Sequence, residues 1–157
     1  PFARGVRTEV MISRPTKTTS YDDKTQVIKP RIKLTNTGAQ AYEKHKAVFA
    51  LIAESASQRG FYKVLLRHEF DITLPPRQVM ESEGKTAITQ YDRDASNGYT
   101  FGYMYDGWVI QIKDETGNVV FTKSTSPTLE KMVEVISTLK ADQVYDKRWN
   151  PVDRTPF

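Results

Sequence analysis

Cysteine is absent from this chain of 157 residues. Its absence excludes disulfides, iron–sulfur clusters, thiol catalysis and zinc sites built from thiolates. Histidine is scarce, and the only two, His45 and His68, do not stand in a metal-binding spacing such as HExxH. No apolar run approaches the ~20 residues that a membrane-spanning helix needs. We therefore expect no metal, no cofactor and no membrane span.

Length and composition indicate one folded domain rather than two. A chain of this size buries ~70% of the surface that it exposes when unfolded. Hydrophobic residues make up 38% of the chain and aromatic residues 11%, which is typical of a β-rich domain. We expect a single domain over residues 1–140 and a polar C-terminal tail over residues 141–157, in which only Val144, Tyr145 and Trp149 could act as anchors.

The net charge of +4 is concentrated in the N-terminal segment, where residues 1–33 hold eight Lys/Arg and three acids. Lys29, Arg31 and Lys33 alternate with apolar residues, which places three cations on one face of a strand. We interpret this basic stripe as a solvated surface. An anionic partner such as nucleic acid or polysaccharide is the alternative, but the stripe lacks the interleaved aromatic residues of a single-strand binding groove, which argues against nucleic acid.

Alternation of apolar and polar residues predicts several strands. They cover residues 6–13, 24–35, 61–74 and 86–91. Pro30 places the second of them at a sheet edge or a bulge. The segment 46–54 has apolar residues at both odd and even positions, which favours a central strand that is covered on both faces. A helix over residues 39–53 would also bury these residues. Residues around Glu81 and Glu83 are predicted to form a polar connection.

The strongest local signal is a β-hairpin over residues 99–123, with its turn at residues 114–117. Trp108, Ile110 and Ile112 share one strand face, so the hairpin can close one side of a core. Asp106-Gly107 inside it is compatible with a two-residue turn or with a bulge in one long strand, and we favour the bulge.

A helix is predicted to follow the hairpin, with Ser126 as N-cap and Pro127 at the first helical position. One apolar stripe recurs at helical spacing and faces the strands. Its residues are Leu129, Met132, Val133, Ile136 and Leu139. The pattern as a whole predicts a mainly β protein, an antiparallel β-sandwich of about seven strands with one C-terminal amphipathic helix.

Two stretches resemble bacterial immunoglobulin-like and fibronectin-type-III-like domains. The run 27–38, VIKPRIKLTNTG, is similar to an early strand of such domains, and GWVIQIKDETGNVVF is similar to their last hairpin. The resemblance implies an immunoglobulin-like sandwich in an exported protein, secreted, periplasmic or at the cell surface, that serves for binding or as a spacer. Because the chain begins with Pro1, we expect it to be trimmed, with any signal peptide upstream.

Four aromatic residues stand at every second position before the bulge, namely Tyr99, Phe101, Tyr103 and Tyr105. On an unbroken strand they would share one face, which could stack on sugar rings or on a protein partner. Core packing and cross-strand pairing explain the same pattern. These four are the candidate ligand-binding residues.

The titratable residues give weaker signals. His68 lies on the apolar parity of its strand with Leu66 and Phe70, and we expect it to be partly buried and hydrogen-bonded. The pair Asp92 and Asp94 faintly resembles a calcium loop, but the terminal glutamate is missing.

We therefore predict a non-enzymatic, exported sandwich module with a structural or protein-interaction role. Its partner would be a protein or a polysaccharide, and the sequence does not identify which one. The sequence also does not indicate the oligomeric state. The alternative is a carbohydrate-binding domain that uses the aromatic residues between Tyr99 and Trp108. Exposure of those rings discriminates the two.

Overall fold

The structure is a computed structural model that describes residues 2–13, 16–18, 23–92 and 101–152. Within these residues it contains ten strands, all paired antiparallel, and a helical segment near the C-terminus. The elements are α1 (Phe2–Gly5), β1 (Val6–Ser13), β2 (Thr16–Thr18), β3 (Asp23–Asn36), β4 (Tyr42–Ser55), β5 (Tyr62–Leu74), β6 (Val79–Glu83), β7 (Ala87–Asp92), β8 (Phe101–Lys113), β9 (Val119–Ser124), α2 (Pro127–Glu130), a 3₁₀ helix (Lys131–Thr138) and β10 (Val144–Tyr145). The mainly β class, the antiparallel sandwich and the C-terminal helix are confirmed.

The long strand β3 organises one layer of the sandwich. Its first half pairs with β2 and β7, and its second half pairs with β1 and β6. The other layer consists of β9, β8, β4, β5 and β10, in that order. β7 also pairs with the start of β8 at Tyr91 and Asp92, so the two layers are parts of one folded sheet.

The first hydrophobic core lies between these layers. Ile28, Ile32 and Leu34 of β3 belong to the same buried cluster as Phe49 of β4 and Trp108 of β8. Ile110 is also in this cluster, and Leu66 and Phe70 of β5 pack against it. The apolar parities of the sequence therefore indicated the core faces of these strands correctly.

Strand β4 is buried on both faces, as its two apolar parities require. Phe49 and Leu51 point into the first core, whereas Val48, Ala50 and Ile52 point into a second core. The helical alternative for residues 39–53 is wrong, because this segment pairs with β5 on one side and with β8 on the other.

Pro30 lies in the middle of β3 and not at an edge of the sheet. It stands opposite Ile12 of β1, and its carbonyl accepts a hydrogen bond of 3.2 Å from the Gly84 N–H. The nitrogen and carbonyl of one strand residue point to the same side. The missing N–H of Pro30 therefore faces the break between β6 and β7, where the ladder is interrupted and no strand needs a donor.

The predicted bulge at Asp106-Gly107 is present in β8. Ile52 pairs with Gly107 and Ala53 with Tyr105, so Asp106 is the extra residue of one continuous strand. At Gly107 an added Cβ would overlap Thr125 Oγ1 and approach Leu129 Cδ1 to 2.8 Å. The bulge therefore brings the backbone of β8 close to the start of the helical segment.

The helical segment packs on the outer face of β4, β5 and β8, where it covers the second core. Ser126 caps it, and its Oγ accepts a hydrogen bond of 3.3 Å from the Leu129 N–H. Only α2 is α-helical, and the rest is a 3₁₀ helix. Val133, Ile136 and Leu139 are three residues apart, and such side chains align on one side of a 3₁₀ helix, which has three residues per turn.

Three short strands fall where the sequence indicated loops or tail, namely β2, β6 and β10. Strand β6 replaces the expected polar connection, and it places Glu81 opposite Lys33 and Glu83 opposite Arg31. Directly paired residues share a face of the sheet, so the basic stripe lies beside acidic side chains. Two acidic residues are thus paired with two of the three cations of the stripe.

Candidate functional site

Tyr103 and Tyr105, the two candidate ligand-binding residues whose side chains are described, do not form an exposed row. Tyr103 is 7% exposed, and Tyr105 is half-buried against the first core. Tyr99 and the side chain of Phe101 lie outside the described residues. A ligand platform at these four residues stays a prediction, and its exposed part would have to come from Tyr99 and Phe101.

The surroundings of Tyr103 explain its burial. It forms a small cluster with Ala53 and Val144, and the Lys63 ammonium lies 5.6 Å from its ring centroid. The backbone carbonyl of Tyr103 also accepts a hydrogen bond of 2.7 Å from the Thr89 hydroxyl. The ring therefore helps to hold the C-terminal strand β10 on the sandwich.

His68 links the two layers of the sandwich. Its Nε2 lies 2.8 Å from Ser82 Oγ of β6, and its ring stacks on Phe70 at 5.2 Å between centroids. Burial lowers the pKa of His68 below its ordinary value of 6.5. The histidine therefore acts as a neutral structural link, in agreement with the expected partial burial and hydrogen bonding.

A cavity of about 590 Å³ at one end of the sandwich brings together the start of β4 and the turn between β8 and β9. Phe2, Tyr42, His45 and Asp114 are among the residues that line it. The His45 ring stacks on Phe2 with centroids 5.4 Å apart, and Tyr42 meets both rings edge-on. We refer to it as the His45 cavity.

Two polar side chains of the His45 cavity form hydrogen bonds within the fold. His45 Nδ1 lies 2.8 Å from the Glu43 carbonyl, which can only accept, so Nδ1 carries the proton in the neutral ring. Asp114 Oδ1 accepts hydrogen bonds from the Thr116 hydroxyl and from the backbone N–H groups of Thr116 and Asn118. The hydrogen bond from the Thr116 hydroxyl, with a smaller effect of His45, lowers the pKa of Asp114. Such a carboxylate does not take up a proton near neutral pH.

Backbone strain marks the same cavity. Lys44 has a φ of 57°, and the register of β4 with β5 shifts between Tyr42 and His45, so a bulge interrupts the strand. A left-handed lysine is costly, and bulges re-aim side chains near functional sites. The sequence carries no signal for it, since lysine is not a residue that favours positive φ.

A second titratable group lies under the C-terminal segment. Burial, with the charges of Glu54 and Asp106, raises the pKa of Tyr62 to about 12, and Tyr62 also hydrogen-bonds Glu54. Partial burial and the neighbouring Glu54 raise the pKa of Asp106. The bulge brings Asp106 to Glu54 from a distant part of the chain, which sequence spacing does not reveal.

The acidic residues singled out in the sequence lie in different surroundings. Glu81 and Glu83 are exposed on β6, and Asp92 is buried, whereas Asp94 lies outside the described residues. Across residues 2–13, 16–18, 23–92 and 101–152, no three potential metal ligands converge. In the same residues no helix is long and apolar enough to cross a membrane.

Comparison with known proteins finds no matching family model and no matching curated protein. Solved structures with similarity include the Northeast Structural Genomics Consortium target SoR45, with a TM-score of 0.42, 14% identity, and coverage of 82% of this chain and 92% of that one. A protein from Akkermansia muciniphila has a TM-score of 0.41 and 14% identity, over 87% of this chain and 76% of that one. Bacteroides uniformis beta-glucuronidase 2 has a TM-score of 0.37 and 11% identity, over 73% of this chain and 12% of that one.

Proposed function

We propose that this chain is a non-enzymatic, immunoglobulin-like sandwich module of an exported bacterial protein, with a structural or protein-interaction role. Support for the immunoglobulin-like type comes from the antiparallel sandwich together with the resemblance of residues 27–38 and of the last hairpin. The proposal of export rests on that resemblance.

One observation carries the non-enzymatic part of the proposal: the candidate reactive side chains in the described residues serve as structural links. His68 bridges the layers, Asp114 holds the turn between β8 and β9, and His45 stacks on Phe2. A general base needs a free lone pair within reach of a substrate proton, and a nucleophile needs such a base beside it. His45 keeps a lone pair on Nε2, but no hydroxyl group in the described residues hydrogen-bonds to this ring, so no nucleophile is paired with it.

A variant of the His45 cavity tests this part of the proposal. We expect the wild-type protein to show no turnover of chromogenic glycosides, esters or phosphate esters. We expect the His45→Gln variant to differ from it only in unfolding free energy. Turnover by the wild-type protein that disappears in the variant while the fold is retained would establish an enzyme and refute the proposal.

Export and partner class need separate measurements. Cells that produce the full-length protein should hold it in the periplasmic, surface or secreted fraction, and recovery with the cytoplasmic fraction contradicts export.

In affinity electrophoresis we expect no retardation by neutral polysaccharides. Retardation that is lost in a Tyr99→Ala/Phe101→Ala variant would favour the carbohydrate-binding alternative.

A further inference from the structure

Three cations converge on a cleft of about 350 Å³ between the β4–β5 loop and the turn that follows β10. Arg59 comes from the loop, and Lys147 and Arg148 come from the turn. All three side chains are exposed. We call this feature the cationic cleft.

In the described part of the chain, no cation of the cationic cleft forms an ion pair. The ion pairs found there are Arg7–Glu9 and Arg67–Glu69, and neither involves a cation of the cleft. Asp146 is the acid among the lining residues, and its Oδ1 accepts from the backbone N–H groups of Arg148 and Asn150 at 2.9 and 3.0 Å. Its carboxylate therefore holds the turn, and with its charge the three cations leave the cleft with a net charge of +2.

The turn that carries Lys147 and Arg148 is held rigidly. The Trp149 N–H donates to the Asp146 carbonyl, and the Asp146 N–H donates to the Asn150 carbonyl. Trp149 has a φ of 62° and stacks on Tyr62 with ring centroids 4.8 Å apart. This stacking anchors the turn to β5.

The loop that carries Arg59 is equally well fixed and lies against the turn. Ser55 Oγ accepts from the N–H groups of Ser57 and Gln58, and the Gly60 N–H donates to Glu54 at 3.3 Å. A Cβ added at Gly60 would lie 3.6 Å from Lys147 Cβ, so the loop and the turn are in contact. The cations are thus presented from two fixed backbones.

Three like charges held together repel one another, and a bound anion would relieve that repulsion. Two guanidinium groups and one ammonium match the oxygens of sulfate or phosphate, to which arginine donates two parallel hydrogen bonds. At ~30 Å³ per water, the cleft has room for a tetrahedral anion and several water molecules. We propose that the cationic cleft binds a sulfate or phosphate group of its ligand through Arg59, Lys147 and Arg148.

NMR titration of the whole chain tests the site, with sodium sulfate and sodium phosphate as probes at constant ionic strength. The amide signals of Gly60, Lys147, Arg148 and Asn150 should shift and saturate, with a Kd on the order of millimolar. In the Arg59→Gln/Arg148→Gln variant the affinity should fall about tenfold or more, since two charge-assisted hydrogen bonds are lost. These side chains are exposed, so the variant should keep the wild-type spectrum elsewhere.

The matched control is Arg4→Gln/Arg31→Gln, which changes the net charge equally at two exposed arginines outside the cleft. It should keep the wild-type affinity within about twofold, because separated surface charges are screened over ~10 Å. Absence of saturable shifts, or an equal loss of affinity in the control, overturns the site.

Heparin, a sulfated polysaccharide, separates the two sources of the anionic group. Heparin binding that competes with sulfate and is lost in the cleft variant indicates a polymeric ligand. Sulfate binding without heparin binding indicates that the ligand is a free anion, and it equally supports an anion site in the cationic cleft. Heparin binding that is retained in the Arg59→Gln/Arg148→Gln variant refutes the proposal that the cleft binds sulfated polymers.

Discussion

At the scale of single residues, Trp108 is the side chain on which the first core depends most visibly. It is 9% exposed and packs on Phe49 with ring centroids 6.1 Å apart. Truncation to alanine in Trp108→Ala removes a large buried ring and leaves a cavity, so we expect a loss of ~3–5 kcal/mol in unfolding free energy. Urea titration monitored by circular dichroism measures it.

The matched control for this change is Val119→Ala, since Val119 is half exposed on β9. Its effect should stay within about 0.5 kcal/mol. A loss below about 1 kcal/mol for Trp108→Ala would show that the indole ring is not part of the core.

His68 should make the stability of the protein depend on pH. Its folded-state pKa lies below the ordinary value of 6.5 because of burial. Below pH 6.5 the unfolded chain therefore binds more protons than the folded one, and stability falls as the pH falls. The stability that His68 contributes is fully present above its pKa in the unfolded chain. It is lost as the pH falls from that value to the pKa of His68 in the folded protein.

The variant His68→Gln should remove this part of the pH dependence. Urea titrations at about pH 5 and about pH 7.5 bracket the ordinary histidine pKa and measure it. Val119→Ala, which removes no titratable group, is the control and should leave the difference between the two pH values unchanged. An identical difference in the wild-type protein and in His68→Gln would contradict the role of this histidine.

Parity in the sequence was enough to predict the partial burial of His68, because it stands between Leu66 and Phe70 on the apolar side of a strand. It did not indicate Ser82 as its partner, since Ser82 lies on the unpredicted strand β6. The neighbours of a side chain within its own strand can be inferred from alternation. Its neighbours across the sandwich depend on the topology.

At the scale of secondary structure elements, the turn between β8 and β9 depends on Gly117. Its φ is 89°, and an added Cβ would meet nothing within 4 Å. The cost of Gly117→Ala is therefore backbone strain alone, which we expect to reach ~1–2 kcal/mol of unfolding free energy.

Gly38→Ala is the matched control, because Gly38 has no positive φ and its added Cβ would lie at an ordinary 3.7 Å from Asn36 Oδ1. It should change the unfolding free energy by no more than about 0.5 kcal/mol. Equal effects of the two substitutions, measured by thermal unfolding, would rule out the strain argument.

The helical segment should stabilise the sandwich through its buried stripe. Met132 and Ile136 are fully buried against the second core. Met132→Asp and Ile136→Asp would each bury an unpaired carboxylate, so both should lower stability by several kcal/mol. Ser137→Asp, on the exposed side of the same helix, is the control and should have little effect.

Urea titration together with size-exclusion chromatography distinguishes docking from association. Wild-type stability of both core variants, accompanied by dissociation of a dimer, would make the stripe an interface between chains. The docked position of the 3₁₀ helix would then be wrong.

The sequence predicted the elements with strong periodicity, such as β1, β5 and the hairpin, because burial of one face leaves a period of two. It missed β6, because the sequence VMESE has few apolar residues and shows little alternation. This segment is a strand because it pairs with β3, and that pairing cannot be read from the segment alone. It predicted the C-terminal helix without its type, and α2 continues as a 3₁₀ helix. Apolar spacing of three and four residues is shared by both helix types, so the pattern marks the buried face and not the hydrogen-bond geometry.

At the scale of the whole molecule, the C-terminal segment and the sandwich share the second core. Val144, Tyr145 and Trp149, the predicted anchors, are all buried. A chain truncated before Ser126 would expose an apolar face of β4, β5 and β8. Its residues include Val48, Ala50, Ile52, Val64 and Val109.

We expect the truncated chain to unfold at lower urea concentration and to aggregate, because large exposed apolar patches promote association. Light scattering and urea titration measure both effects. A monomeric truncated protein with the wild-type unfolding midpoint would show that the segment is dispensable.

The sequence did not predict the His45 cavity or the cationic cleft. Phe2 and Asp114 line the first, and Arg59 and Arg148 line the second, but each pair is far apart in the sequence.

The pairing of β4 with β8 also has a consequence for biosynthesis. Lys46 pairs with Lys113, and Ser55 pairs with Tyr103, so β4 is synthesised before its partner. At translation rates of ~5–20 residues per second, the interval between the synthesis of Ser55 and that of Lys113 lasts about 3–12 s. During it, one edge of this apolar strand has no partner strand. An unpaired edge on an apolar strand promotes association with other chains until β8 has been made.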